Sequence, residues 1–163
     1  MSSDHIHMET VTMRETNEYA VDAAALRATG VVALLGIGAI HFLQIVETFQ
    51  STPLLGLAYV VLIAASLALA AWLLVTGDVR AWAGAGLISA AVIVGYAFTR
   101  VVGTTFDNQD VGNWSCMLGL ASLFVEAALL ALSGFAMALV RTDIKDSQAA
   151  IELEHELMLE SSR

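Results

Sequence analysis

Four apolar runs, each long enough to cross a lipid bilayer, constrain this chain more than any other feature. A spanning helix needs about 20 apolar residues at about 1.5 Å of rise each. Runs of that length lie at about 28–50, 54–76, 81–103 and 115–140. Ser51-Thr52-Pro53 separates the first two, with Pro53 placed to open the next helix. Gly77-Asp78 is a turn signal after the second. TTFDNQDVGNW separates the last two and offers Trp114 to the membrane interface. Connections this short force neighbouring helices to run antiparallel. The expectation is an all-α, up-down-up-down bundle of four transmembrane helices over 28–140, between an N-terminal tail (1–27) and an acidic helical C-terminal tail (141–163).

The distribution of charge agrees. Of 163 residues, 58% are apolar and 14% charged, whereas soluble domains run nearer 45–50% and 25%. Residues 1–25 carry five acids and one arginine, and residues 141–163 carry six acids and three bases. The centre is lipid-soluble and the two ends are acidic. A net charge of −9 with no Lys/Arg cluster excludes a nucleic-acid partner. One cysteine, Cys116, excludes an internal disulfide and a CxxC motif. Residues 1–25 lack the basic start and apolar core of a cleavable signal peptide, so the first run is expected to serve as an uncleaved anchor. Arg14, Arg27, Arg80, Arg141, Lys145 and Arg163 all fall on one side of the bundle, and the loops at 51–53 and 104–114 carry no basic residue. By the positive-inside rule both termini are expected in the cytoplasm, with the bundle in the cytoplasmic (inner) membrane.

The first 16 residues show no hydrophobic period and read as disordered, with Thr12-x-x-Glu15 available as a capping box for a short helix. His5-x-His7-Met8 lacks a third fixed metal ligand and reads as an accident of the surface. In the C-terminal tail, Ile144, Ile151 and Met158 repeat every seven residues among glutamates. That pattern fits a solvated helix with a weak apolar edge, or one that docks on a partner or on a second copy. Gly84, Gly86, Gly95, Gly103, Gly119 and Gly134 fit close helix packing in lipid.

Chemistry can reside only in the few polar groups that the membrane must accommodate. An ionisable side chain at mid-bilayer costs roughly 2.5–3.5 kcal/mol on insertion scales, so it faces the bundle interior and finds a partner. His41, Gln44 and Glu47 lie near the end of the first run, Tyr96 and Arg100 near the end of the third, and Glu126 within the fourth. Counting from the outer helix ends, Glu47 and Arg100 lie about 5 Å down, His41 ~14 Å and Glu126 ~16 Å. Spacing alone therefore pairs Glu47 with Arg100 near the rim and His41 with Glu126 near the midplane, with Gln44 and Tyr96 between the levels. The first pairing requires the first and third helices to be neighbours.

Such a cluster admits several uses. Structural glue comes first, because the groups can satisfy each other. A proton or ion pathway is second, although the inner halves of the helices offer no ionisable relay. His41, Glu47 and Glu126 could supply a His-carboxylate set for iron or zinc; one intramembrane histidine cannot make a bis-histidine haem site, and HExxH is absent. A small apolar or quinone-like ligand against Tyr96 and Arg100 is the last. No serine-histidine-acid arrangement can be assembled at one membrane face, which weighs against an enzyme.

His41 and Glu47 on the first helix, Gly95-Tyr96 with Arg100 and Gly103 on the third, and Glu126 on the fourth together resemble a loose group of small four-helix membrane proteins of actinobacteria, most of them uncharacterised. The resemblance covers about residues 30–140. It implies the bundle and the polar cluster and brings no activity with it. On balance the sequence suggests a non-enzymatic accessory or scaffold subunit of a larger membrane complex, with no cofactor, or alternatively a protein that handles protons, metal or a small ligand through the cluster. Its expected partners are the lipid bilayer and other membrane subunits or further copies of itself.

Overall fold

The computed structural model describes the backbone of residues 3–103 and 111–161, with side chains from residue 21 to 142 and at scattered positions beyond, 104–110 excepted. Four helices follow in order: α1 (Ser3–Ser51), α2 (Pro53–Thr76), α3 (Val79–Val101) and α4 (Met117–Ser161). Each contains a stretch long and apolar enough to cross a membrane: Val21–Ser51, Pro53–Thr76, Val79–Val101 and Met117–Ala149.

The punctuation works as the residue types require. Thr52 alone separates α1 from α2, and Pro53 opens α2 where its missing N–H costs nothing. Gly77 ends α2 in the left-handed conformation at φ +65°, its N–H donating to the Leu73 carbonyl. Asp78 then caps α3 by accepting from the Arg80 N–H at 2.9 Å.

α1 and α4 are much longer than their apolar runs. The expected disorder over the first 16 residues is replaced by helix from Ser3, so Thr12 and Glu15 lie inside α1 rather than at its start. No Gly or Pro interrupts residues 3–29 or 135–161, and extending an existing helix needs no new nucleus. The His5, His7 and Met8 side chains, and that of Ile144, lie outside the described residues. Ile151 and Met158 are exposed.

Close approaches give the register. Phe49 packs on Gly56, Ser66 approaches Gly38 and Leu73 packs on Gly30, an antiparallel α1–α2 pair. Gly86 meets Ser133 and Gly119 meets Tyr96, an antiparallel α3–α4 pair. α1 also packs on α4 and α2 on α3, so the helices close a ring in chain order with α1 and α3 on a diagonal.

The two ends of the ring differ. Toward the end bearing the Gly77-Asp78 turn, Leu34, Ile37, Leu73, Ala81, Trp82, Ala85 and Leu129 form a tight apolar core. Trp82 reaches across the diagonal to Gly30. Toward the opposite end, the loop end, the buried side chains include His41, Arg100, Ser122 and Glu126. Meanwhile Val32, Leu43, Leu74, Leu87 and Phe124 are exposed. Apolar residues outside with polar ones inside invert the order of a soluble bundle, as a lipid solvent demands. The protein is an all-α bundle of four membrane-spanning helices.

Candidate functional site

α2 and α3 are joined at the Gly77-Asp78 turn and make the weakest of the neighbouring packings. Between them, in the loop half, lies a cavity of about 520 Å³. One wall is aliphatic, built from Leu55, Leu62 and Ala65 of α2 and Ile88 and Val92 of α3. The other is polar: His41 and Gln44 from α1, Tyr96, Thr99 and Arg100 from α3, and Ser122 and Glu126 from α4. Ala58, Val61, Ala91, Gly95 and Phe98 also line the cavity and are themselves exposed. Its mouth is therefore on the lipid-facing seam between α2 and α3. Small residues keep the seam open, and a Cβ added at Gly95 would meet nothing within 4 Å.

Glu126 is fully buried. Its Oε1 accepts the Ser122 hydroxyl at 2.6 Å, one helical turn away. Oε2 has no hydrogen-bond partner among the described residues. His41 donates from Nδ1 to the Ile37 carbonyl at 2.9 Å. A carbonyl can only accept, so Nδ1 bears the hydrogen, and in the neutral ring Nε2 is left as an acceptor. The His41 ring meets Tyr59 edge-on, with centroids 4.7 Å apart.

A second level lies nearer the loop end. The Arg100 guanidinium stacks 4.7 Å from the Tyr96 ring centroid, a cation–π geometry. Tyr96 also meets Trp114 edge-on at 6.1 Å, and the Gly112 N–H donates to the Arg100 carbonyl at 2.9 Å. The segment leading into α4 is thereby folded back over the end of α3. With Tyr96 opposite Gly119 and Gly86 opposite Ser133, Glu126 is level with about residue 91 of α3. Arg100 then stands about nine residues, or ~13 Å, further along the axis.

Of the six polar residues singled out from the sequence, five reach the cavity wall: His41, Gln44, Tyr96, Arg100 and Glu126. Glu47 does not. It is exposed on α1, and the helix carrying Arg100 is its diagonal rather than its neighbour. The expected rim pairing falls on that account. His41 and Glu126 share the cavity, but their hydrogen bonds go to Ile37 and Ser122. Gln44 bonds weakly to the Ile40 carbonyl at 3.4 Å. The geometry is thus a set of local bonds around a space, where the sequence suggested one continuous polar network. Among the described residues no three His, Cys, Asp or Glu side chains gather as a metal site, so the set of His41, Glu47 and Glu126 is not assembled.

Tyr59 was missed. An aromatic hydroxyl amid LLGLAYVVLIA is, with Ser66, one of the few polar groups within α2, and the rule that found His41 and Glu126 applies to it equally. Cys116 is half-buried with a free thiol at the entrance to α4.

No family model matches this chain, and neither a curated protein nor a solved structure is significantly similar to it. The resemblance to the actinobacterial group thus carries no family assignment. A small four-helix integral membrane protein is what stands.

Proposed function

We propose that this protein binds a small lipid-soluble molecule in the cavity between α2 and α3 and catalyses no reaction on it. The observation that carries the reading is the cavity itself. It has an aliphatic wall, a polar wall with a buried carboxyl group, and a mouth on the lipid face. Its volume of about 520 Å³ falls within the usual range for ligand sites, about 300–1,000 Å³. A ligand entering from the bilayer would bring its apolar body against Leu55, Leu62, Ile88 and Val92 and its head toward Glu126. The test is mass spectrometry of small molecules co-extracted with the protein in mild detergent, beside Gly95→Trp, which fills the mouth. One species near equimolar ratio in the wild type and depleted in the variant supports the reading. A species equally abundant in both, or none in the wild type, sinks it.

An accessory-subunit role is the second reading. It is favoured by the α4 extension, where Ile151, Leu157 and Met158 are exposed beyond the membrane span. Affinity purification from the native host decides it. A stoichiometric membrane partner supports the role, and recovery of this chain alone rejects it. For either reading we place both termini in the cytoplasm and the bundle in the cytoplasmic membrane, because Arg27, Arg80, Arg141 and Lys145 cluster at one end.

A further inference from the structure

We infer that the molecule this cavity takes is a lipid-soluble amine, its ammonium group seated on the Glu126 carboxylate and its apolar body lying between α2 and α3. The inference rests on the cavity being a ligand site, as proposed above, and adds the chemistry of the ligand.

The polar wall around Glu126 is rich in acceptors. Ser122 commits its hydroxyl hydrogen to Oε1 of Glu126, so it presents only lone pairs to the cavity. His41 commits its Nδ1 hydrogen to Ile37, which leaves Nε2 as a lone pair in the neutral ring. Oε2 of Glu126 has no hydrogen-bond partner among the described residues, although the residue is fully buried. The Arg100 backbone stands ~13 Å toward the loop end, and its guanidinium lies over the face of Tyr96, on the loop side of Glu126. A carboxylate in lipid needs a cation or several donors close by.

An alkylammonium group answers each of these needs. It carries a positive charge for Glu126 and up to three N–H donors, as a lysine head does. The Tyr59 ring, on the cavity wall, adds an aromatic group of the kind that attracts a cation; the Tyr96 face is already taken by Arg100. An alcohol brings a single donor and no charge. A quinone brings carbonyl oxygens, which would oppose the lone pairs around Glu126; the Tyr96 and Arg100 donors on the cavity wall lie toward the loop end. The aliphatic wall and the lipid-facing mouth at Ala58, Ala91 and Gly95 suit a chain or ring body attached to that head. The head could belong to an aminolipid or to a free lipophilic amine; the recognising chemistry is the same.

The test compares dodecylamine, dodecanol and a decyl-substituted benzoquinone as stabilisers of the full chain in detergent, read by thermal unfolding. We expect the amine to raise the midpoint at concentrations at least about tenfold below those at which the other two act, and Glu126→Gln to abolish that preference. Equal stabilisation by the alcohol or the quinone overturns the amine assignment, as does a preference that survives in Glu126→Gln. If Glu126→Gln fails to fold, the wild-type comparison decides alone. The two layers of the reading fail differently. Binding without an amine preference, blocked by Gly95→Trp, rejects the amine and keeps the cavity. No stabilisation of the wild type by any of the three rejects both. Where the preference is found, repeating it in nanodiscs of phosphatidylcholine with and without phosphatidylethanolamine assigns the source. Competition by phosphatidylethanolamine points to a lipid headgroup, and its absence to a free amine.

Discussion

Tyr96 sits where it does because α4 lacks one methyl group opposite it. A Cβ built on Gly119 would lie 2.7 Å from Tyr96 Cε2, 3.1 Å from its hydroxyl oxygen and 3.3 Å from Cζ. Carbon pairs settle at about 3.5 Å or more, so Gly119→Ala requires the ring to retreat by roughly 0.8 Å. The ring has little freedom to do so. Trp114 meets it edge-on at 6.1 Å and the Arg100 guanidinium covers its face at 4.7 Å. Overpacking of this kind costs about 1–3 kcal/mol. Against that stands the helix-propensity gain of Gly→Ala, up to ~1 kcal/mol in a helix interior and less at the third residue of α4. The expected net loss is about 1–2 kcal/mol, measured by reversible unfolding in an SDS titration. The decisive form is a double-mutant cycle with Tyr96→Ala. Without the ring, Gly119→Ala should be neutral or slightly stabilising, giving a coupling of about 1–3 kcal/mol. If Gly119→Ala costs as much without the ring as with it, the steric account is wrong.

Three further outcomes are expected. Gly134→Ala, at a mid-helix position with nothing within 4 Å, should gain up to about 1 kcal/mol in the same SDS titration; a loss would mean that the site is occupied by another chain or by tightly held lipid. Gly77→Ala should lose about 1–2 kcal/mol, because its φ of +65° is left-handed and the new methyl would press on the Arg27 side chain at 3.2 Å; an unchanged unfolding midpoint would contradict the cap. With both termini inside, Cys116 at the loop end should react in intact cells with a membrane-impermeant maleimide, read as a mass shift on a gel; labelling only after lysis would reverse the proposed orientation.

Residue types alone made the membrane class and the helix count legible. Runs of apolar residues cannot be solvated by water, Pro53 can only open a helix, and Gly77 readily takes the left-handed turn that ends one. The same logic found His41, Arg100 and Glu126, since a charged or polar group in lipid stands out against any background. What no single helix announces is which way its faces point. α2 is apolar nearly all round, and lipid is as apolar as a protein core, so no amphipathic stripe marks the inside. Only packing decided that Glu47 lies exposed on α1 while Gln44, one turn earlier, turns to the cavity. Only packing put α1 diagonal to α3, which separates Glu47 from Arg100, and set Gly119 against Tyr96. Ala58, Ala91 and Gly95 look like ordinary packing residues along the chain. They form a mouth because α2 and α3, joined at the Gly77 turn and in contact where Leu69 meets Gly84, make the weakest of the neighbouring packings, and that is a property of four helices together.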